Sequence, residues 1–110
     1  MTPGSARLDR LAKTIRSKNA GVDQITFDVI FNDRGAFERV VRSGVLSRET
    51  VTRLYGVAPE RVVDFVVYEP GLAIKFTIRR LRPSGSPGDG DIFGAQQYAP
   101  LLALEVPPDA

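Results

Sequence analysis

Between Asp23 and Phe31 the apolar side chains Ile25, Phe27, Val29 and Phe31 alternate with Gln24, Thr26, Asp28 and Ile30. A two-residue period in β-forming residues specifies a strand with one buried face. Such a strand must find partners for its backbone and a layer to cover its apolar side, which constrains the rest of the chain. Two further segments supply partners: Arg61 to Tyr68 and Leu72 to Arg79 flank Glu69, Pro70 and Gly71. In that turn Pro fixes φ and Gly supplies positive φ, so an antiparallel hairpin is predicted. Along its second strand Leu72, Ile74, Phe76 and Ile78 point one way and Ala73, Lys75, Thr77 and Arg79 the other, which puts the basic side chains on the less buried face. Leu101 to Val106 reads as a final short strand.

The covering layer comes from helical patterns. Leu8, Leu11, Ala12 and Ile15 follow the i, i+3, i+4, i+7 spacing of one helical face, predicting a helix over residues 7 to 18. Asn19, Ala20 and Gly21 would stop it, with Arg16 and Lys18 complementing the dipole at its end. Asn32 or Asp33 can cap a second helix with the stripe Ala36, Phe37, Val40 and Val41, broken at Gly44. Ser47 caps a third, carrying Val51, Leu54 and Tyr55 and ending at Gly56. The order α, β, αα, β, β, long loop, β favours an α+β domain. It predicts a mostly antiparallel four-stranded sheet with helices packed on one face, a ferredoxin-like variant without a helix before its last strand. A length of 110 residues suits one domain, with residues 1–6 and 107–110 expected to fray. The expected core is Leu11, Ile15, Ile25, Phe27, Val29, Phe37, Val40, Leu54, Phe65, Val67, Ile74, Phe76 and Leu102.

Composition removes several function classes. The chain has no Cys and no His, so thiolate metal sites, disulfide scaffolds and the usual general base near neutral pH are excluded. The 15 basic residues face 13 acidic ones, and a net charge of +2 is not a polyanion binder's balance. Exposed aromatics for base stacking are also lacking: Phe27, Phe31, Phe65 and Phe76 fall on the apolar strand faces, leaving mainly Tyr68 on a polar one. No nucleic-acid partner is expected. No apolar run is long enough to span a bilayer, and MTPGSARLDR has no apolar stretch behind its basic residues, so a cytoplasmic protein without membrane contact is expected.

Three places carry candidate chemistry. Pro83 to Asp91, PSGSPGDGD, is a loop by composition and runs directly into Ile92-Phe93-Gly94-Ala95-Gln96-Gln97-Tyr98. Ser84, Ser86 and backbone N–H groups there could cup an anion, while Asp89, Asp91, Gln96 and Gln97 could hold a polar ligand or partner. The plainer reading is a surface loop packed by Ile92 and Phe93. Its glycines Gly88, Gly90 and Gly94 are misspaced for a dinucleotide fingerprint, and two loop carboxylates make a poor cation site, so no metal or cofactor is expected. Arg16-Ser17-Lys18-Asn19 offers guanidinium, hydroxyl, ammonium and amide to a carboxylate or phosphate, against the alternative of a solvated helix end. Asp28 could act as acid or base if buried, but a strand-face ion pair with Lys75 or Arg79 is the better-supported role.

The segments Leu11 to Gly21 (LAKTIRSKNAG), Phe27 to Phe31 (FDVIF) and Arg82 to Ser86 through Gly94 to Gln97 extend these motifs over nearly the whole chain. In them the chain resembles the uncharacterised domain-of-unknown-function family 4387, small proteins found beside, or fused to, proteins similar to acyclic terpene utilisation protein A. The resemblance implies an accessory subunit of a larger catabolic protein, one acting on organic acids or their thioesters. Arg16, Ser17, Lys18 and Asn19 match the family's first motif, and Asp91, Gly94, Gln96 and Gln97 its second. Where such proteins commonly carry His after the paired glutamines, this chain has Tyr98, whose pKa near ~10 suits binding better than proton transfer. The expected function is a module that completes a polar site or interface on its larger partner, and self-association is expected when it is made alone. The alternative is a lyase or hydratase with Asp28 or Asp91 as base and Arg16 or Lys18 holding a substrate carboxylate.

Overall fold

The computed structural model describes residues 4–21, 23–79 and 99–108. In chain order these form β1 (Ala6–Arg7), α1 (Leu8–Leu11), β2 (Thr14–Asn19), β3 (Gln24–Ile30), α2 (Arg34–Ser43), α3 (Arg48–Tyr55), β4 (Val62–Tyr68), β5 (Ala73–Arg79), α4 (Ala99–Leu102) and β6 (Glu105–Val106). The architecture is α+β. Four strands make an antiparallel sheet in the order β2-β3-β5-β4, and β1 pairs with β6 in a separate two-stranded ribbon. Because β3 and β4 both run antiparallel to the β5 between them, they are parallel to each other. Their connection is the helix pair α2 and α3, long enough to cross the sheet as a parallel pair requires.

Local chemistry sets the helix limits. Asp33 Oδ2 accepts from the Ala36 N–H at 3.1 Å and Ser47 Oγ from the Thr50 N–H at 3.2 Å, the N-caps expected of those residue types. Both helices end on a glycine in the left-handed region, Gly44 at φ 68° and Gly56 at φ 61°. One face of the sheet, bearing Ile25, Phe27, Val29, Ile74, Phe76 and Ile78, packs against Phe37 and Val40 of α2 and Val51 of α3. Phe27 and Phe76 stack at 4.7 Å between ring centres, with Tyr55 and Phe65 flanking them at 5.2 and 6.0 Å, so one aromatic row ties three strands to α3. Leu8, Leu101 and Val106 are fully buried in the same core. Arg39 of α2 holds both chain ends, donating to the carbonyls of Gly4, Val106 and Pro107.

The first helix is much shorter than its spacing predicts. Only Leu8–Leu11 is helical, and Thr14–Asn19 is a strand paired with β3 over its full length. An isolated twelve-residue helix is marginal in water, so the open edge of β3 decides the conformation of a segment that contains β-branched Thr14 and Ile15. Asn19 is the last residue of β2, and Ala20 and Gly21 lead into a hairpin turn rather than a helix end: the Ala20 N–H donates to the Gln24 carbonyl at 2.8 Å, and Gly21 takes φ 89°. The final segment is also corrected. Ala99–Leu102 is helical, and only Glu105–Val106 is extended, pairing with β1 instead of joining the main sheet. The four-stranded sheet holds, with β2 rather than the last segment as its fourth strand.

Smaller corrections follow from this packing. In the turn between β4 and β5 the positive φ falls on Leu72 at 49°, not on Gly71. Gly71 is required for another reason, since a Cβ there would lie 2.9 Å from the Tyr68 ring. Val67 is 45% exposed because β4 is an edge strand, and Leu101 rather than Leu102 fills the core.

Candidate functional site

Each described helix with a buried apolar side chain sends it to the same side of the sheet, so the other side receives no helix among the described residues. Register fixes what that helix-free face carries. Across β2, β3, β5 and β4 one row is Thr14, Ile30, Ala73 and Tyr68; the next is Arg16, Asp28, Lys75 and Val66; the third is Lys18, Thr26, Thr77 and Asp64. Gln24 and Arg79 pair beyond them.

Asp28 occupies the centre of the middle row and is 4% exposed. Its Oδ2 accepts from Arg16 Nε at 3.0 Å and its Oδ1 from Lys75 Nζ at 3.3 Å. An uncompensated carboxylate at that depth would cost several kcal/mol; two opposite charges offset it while their own side chains stay 58% and 44% exposed. The triad therefore carries one net positive charge and keeps donors beyond those spent on Asp28: both Nη groups of Arg16 and further N–H bonds of Lys75. Below it, the Thr26 and Thr77 hydroxyls share a hydrogen bond at 3.3 Å. Neither Lys18 nor the Arg79 guanidinium has an ion-pair partner among the described residues. The face sets the cations Arg16, Lys18, Lys75 and Arg79 against the carboxylates Asp28 and Asp64.

The structure brings together Arg16, Lys18 and Asp28. It separates them from Ser17 and Asn19, because in a strand alternate residues point to opposite faces. Ser17, 5% exposed, stands opposite Phe27 on the helix side, and Asn19 opposite Ile25. Of the two ion-pair partners expected for Asp28, Lys75 is found and Arg79 is not; Arg16, unforeseen as a partner, completes the pair. Lys75, Thr26 and Thr77 were not singled out as site residues from sequence. The alternation of β5 already placed Lys75 and Thr77 on the polar face, but the matching signal in β2 was hidden by its helical spacing. Ser84, Ser86, Asp91, Gln96, Gln97 and Tyr98 lie outside the described residues.

Two shifted groups belong to the scaffold. Burial pushes the Tyr55 phenol well above its ordinary value, keeping it protonated beside the Phe27 ring. Desolvation lowers Arg61, whose Nε donates to the Arg79 carbonyl at 2.8 Å and ties the end of β5 to the turn before β4.

Fold and site together define a small α+β domain with one sheet face covered by helices and the other polar and cationic. No helix among the described residues is long and apolar enough to cross a membrane. The profile described as Domain of unknown function (DUF4387) matches residues 8–105, and the chain belongs to that family. Neither a curated protein nor a solved structure matches it.

Proposed function

We propose that this protein is a binding module, an accessory subunit that uses the open sheet face to grip an acidic group on a larger cytoplasmic protein. The observation that carries the reading is the Arg16–Asp28–Lys75 triad. A general base needs an oxygen aimed at a substrate proton, whereas each Asp28 oxygen faces a cation; the alternative of a lyase or hydratase using Asp28 loses support accordingly. The same arrangement suits binding: Asp28 orients two cations whose remaining donors match a carboxylate or phosphate. The partner we propose is a catabolic protein similar to acyclic terpene utilisation protein A, on the strength of the sequence resemblance. Within this reading the sheet is a ferredoxin-like variant in which the N-terminal strand β2 takes the outer position beside β3. The strand order and the split pair β3 and β4 support it.

Co-expression with such a partner, followed by size-exclusion chromatography with light scattering, tests the proposal. A single species of summed mass is expected, lost or weakened at least tenfold by Lys18→Glu, which reverses an exposed charge without disturbing the triad. Separate elution of the wild-type chains, or a complex indifferent to Lys18→Glu, counts against it.

A further inference from the structure

The two edges of the main sheet differ sharply in how they are protected. β2 presents Arg16 and Lys18, long exposed cations of the kind that discourage strand addition. β4 has no Lys, Arg or Pro along Val62–Tyr68, and it exposes three successive apolar residues, Val66 at 45%, Val67 at 45% and Tyr68 at 49%. Among the described residues it pairs only with β5, so its outer backbone groups form no ladder. A bulge at Val63 interrupts the strand near its start, and the Val62 carbonyl accepts from Arg48, but Asp64–Tyr68 beyond it is a regular, largely apolar stretch with one charge and is a template for another strand.

We propose that β4 pairs antiparallel with β4 of a second copy of this chain, joining two four-stranded sheets into one across a two-fold axis. Symmetry and charge select the register. Paired residues in an antiparallel ladder share a face, so the axis must pass midway between the two copies of one residue. Centring on Asp64 would set two carboxylates opposite each other, centring on Phe65 sets Asp64 against Val66, and centring on Val67 leaves only Val66–Tyr68 of each strand within the pairing. Centring on Val66 avoids all three. Val66 then meets its own copy, Phe65 meets Val67, and Asp64 meets Tyr68, whose hydroxyl can donate to the carboxylate. The two Asp64 side chains end up about 14 Å apart along the strands, four residues at roughly 3.4 Å each. The pairing covers the apolar residues of both edges, leaves the helices of both copies on one side of the joined sheet, and sets two Arg16–Asp28–Lys75 triads on the other. It stands independently of any larger partner.

The absence of cysteine makes the test direct. Val66→Cys would put two thiols on the axis, with Cα atoms about 4.5–5.5 Å apart, inside the roughly 4.4–6.8 Å span of disulfides. Mild oxidation should give a covalent dimer, while Asp64→Cys, far beyond the ~7 Å limit, should not. Light scattering of the wild-type chain at about 100 μM should give twice the chain mass, which corresponds to a dissociation constant tighter than that concentration. Val66→Lys, facing its own charge across the axis, should give a monomer with unchanged far-UV circular dichroism. A monomeric wild type, equal cross-linking of the two cysteine variants, or a folded Val66→Lys dimer overturns the proposal. Should Val66→Lys fail to fold, the cysteine pair still decides.

Discussion

Removing both cations around Asp28 should cost far more than the two separate removals together. Arg16→Met alone leaves the carboxylate with Lys75, and Lys75→Met alone leaves it with Arg16. Each lost contact involves a cation about half exposed, so each single change should cost about 0.5–1 kcal/mol. The double variant strands a carboxylate whose side chain is 6% exposed, a change in the class that costs about 3–5 kcal/mol. The excess over the sum is then about 1–4 kcal/mol, and it should vanish in an Asp28→Asn background, where no buried charge remains. Asp28→Asn alone should cost about 1–2 kcal/mol, because its cations can turn to water. Urea denaturation followed by far-UV circular dichroism measures all of these. Additivity of the single changes within about 0.5 kcal/mol would refute the reasoning, since it would mean that Asp28 is solvated by something other than its two cations.

Three further outcomes follow from separate parts of the fold. Gly44→Ala and Gly56→Ala should each lower stability by about 1 kcal/mol in thermal denaturation, a backbone cost only, because nothing lies within 4 Å of the added Cβ. Tyr55 keeps its proton longer in the folded chain than in the unfolded one, so stability is present below the unfolded value of 10.0 and falls as pH rises past it. Tyr55→Phe removes that dependence, and its stability deficit at neutral pH should shrink above pH 10.0 in parallel denaturation curves. Arg39→Ala should release the paired chain ends, read as faster amide exchange at Leu8 and Leu104 with the amides of β3 and β5 still protected.

The helix-free face changes how the two basic stretches of this chain are understood. Read in order, Arg16 and Lys18 belong to one stretch and Lys75 and Arg79 to another, about sixty residues apart. The sheet folds them into adjacent columns around one buried carboxylate. A near-neutral chain can thereby present a locally cationic surface, and net charge is a poor guide to what that surface binds.

Much of the fold was legible in the order of residues. The alternation of Ile25, Phe27 and Val29, the hairpin around Pro70, the Asp33 and Ser47 caps and the glycines that end both helices are local signals, each enforced within a few residues by sterics or one hydrogen bond. The pairing of Asp28 with Lys75 was legible too, because both strands declared their faces. What the sequence alone misplaced was Thr14–Asn19. Its apolar spacing satisfies a helix as well as a strand, and the choice depends on an open β3 edge that no local pattern reveals. From that decision came the rest: Arg16 beside Asp28, Ser17 and Asn19 on the opposite face, and the displacement of the last segment into a ribbon with β1. Composition and periodicity determined which side chains are apolar, which are charged and where the chain turns. Only tertiary structure decided which of them share a face, because strand register is a contact between distant segments and its energy belongs to neither one alone.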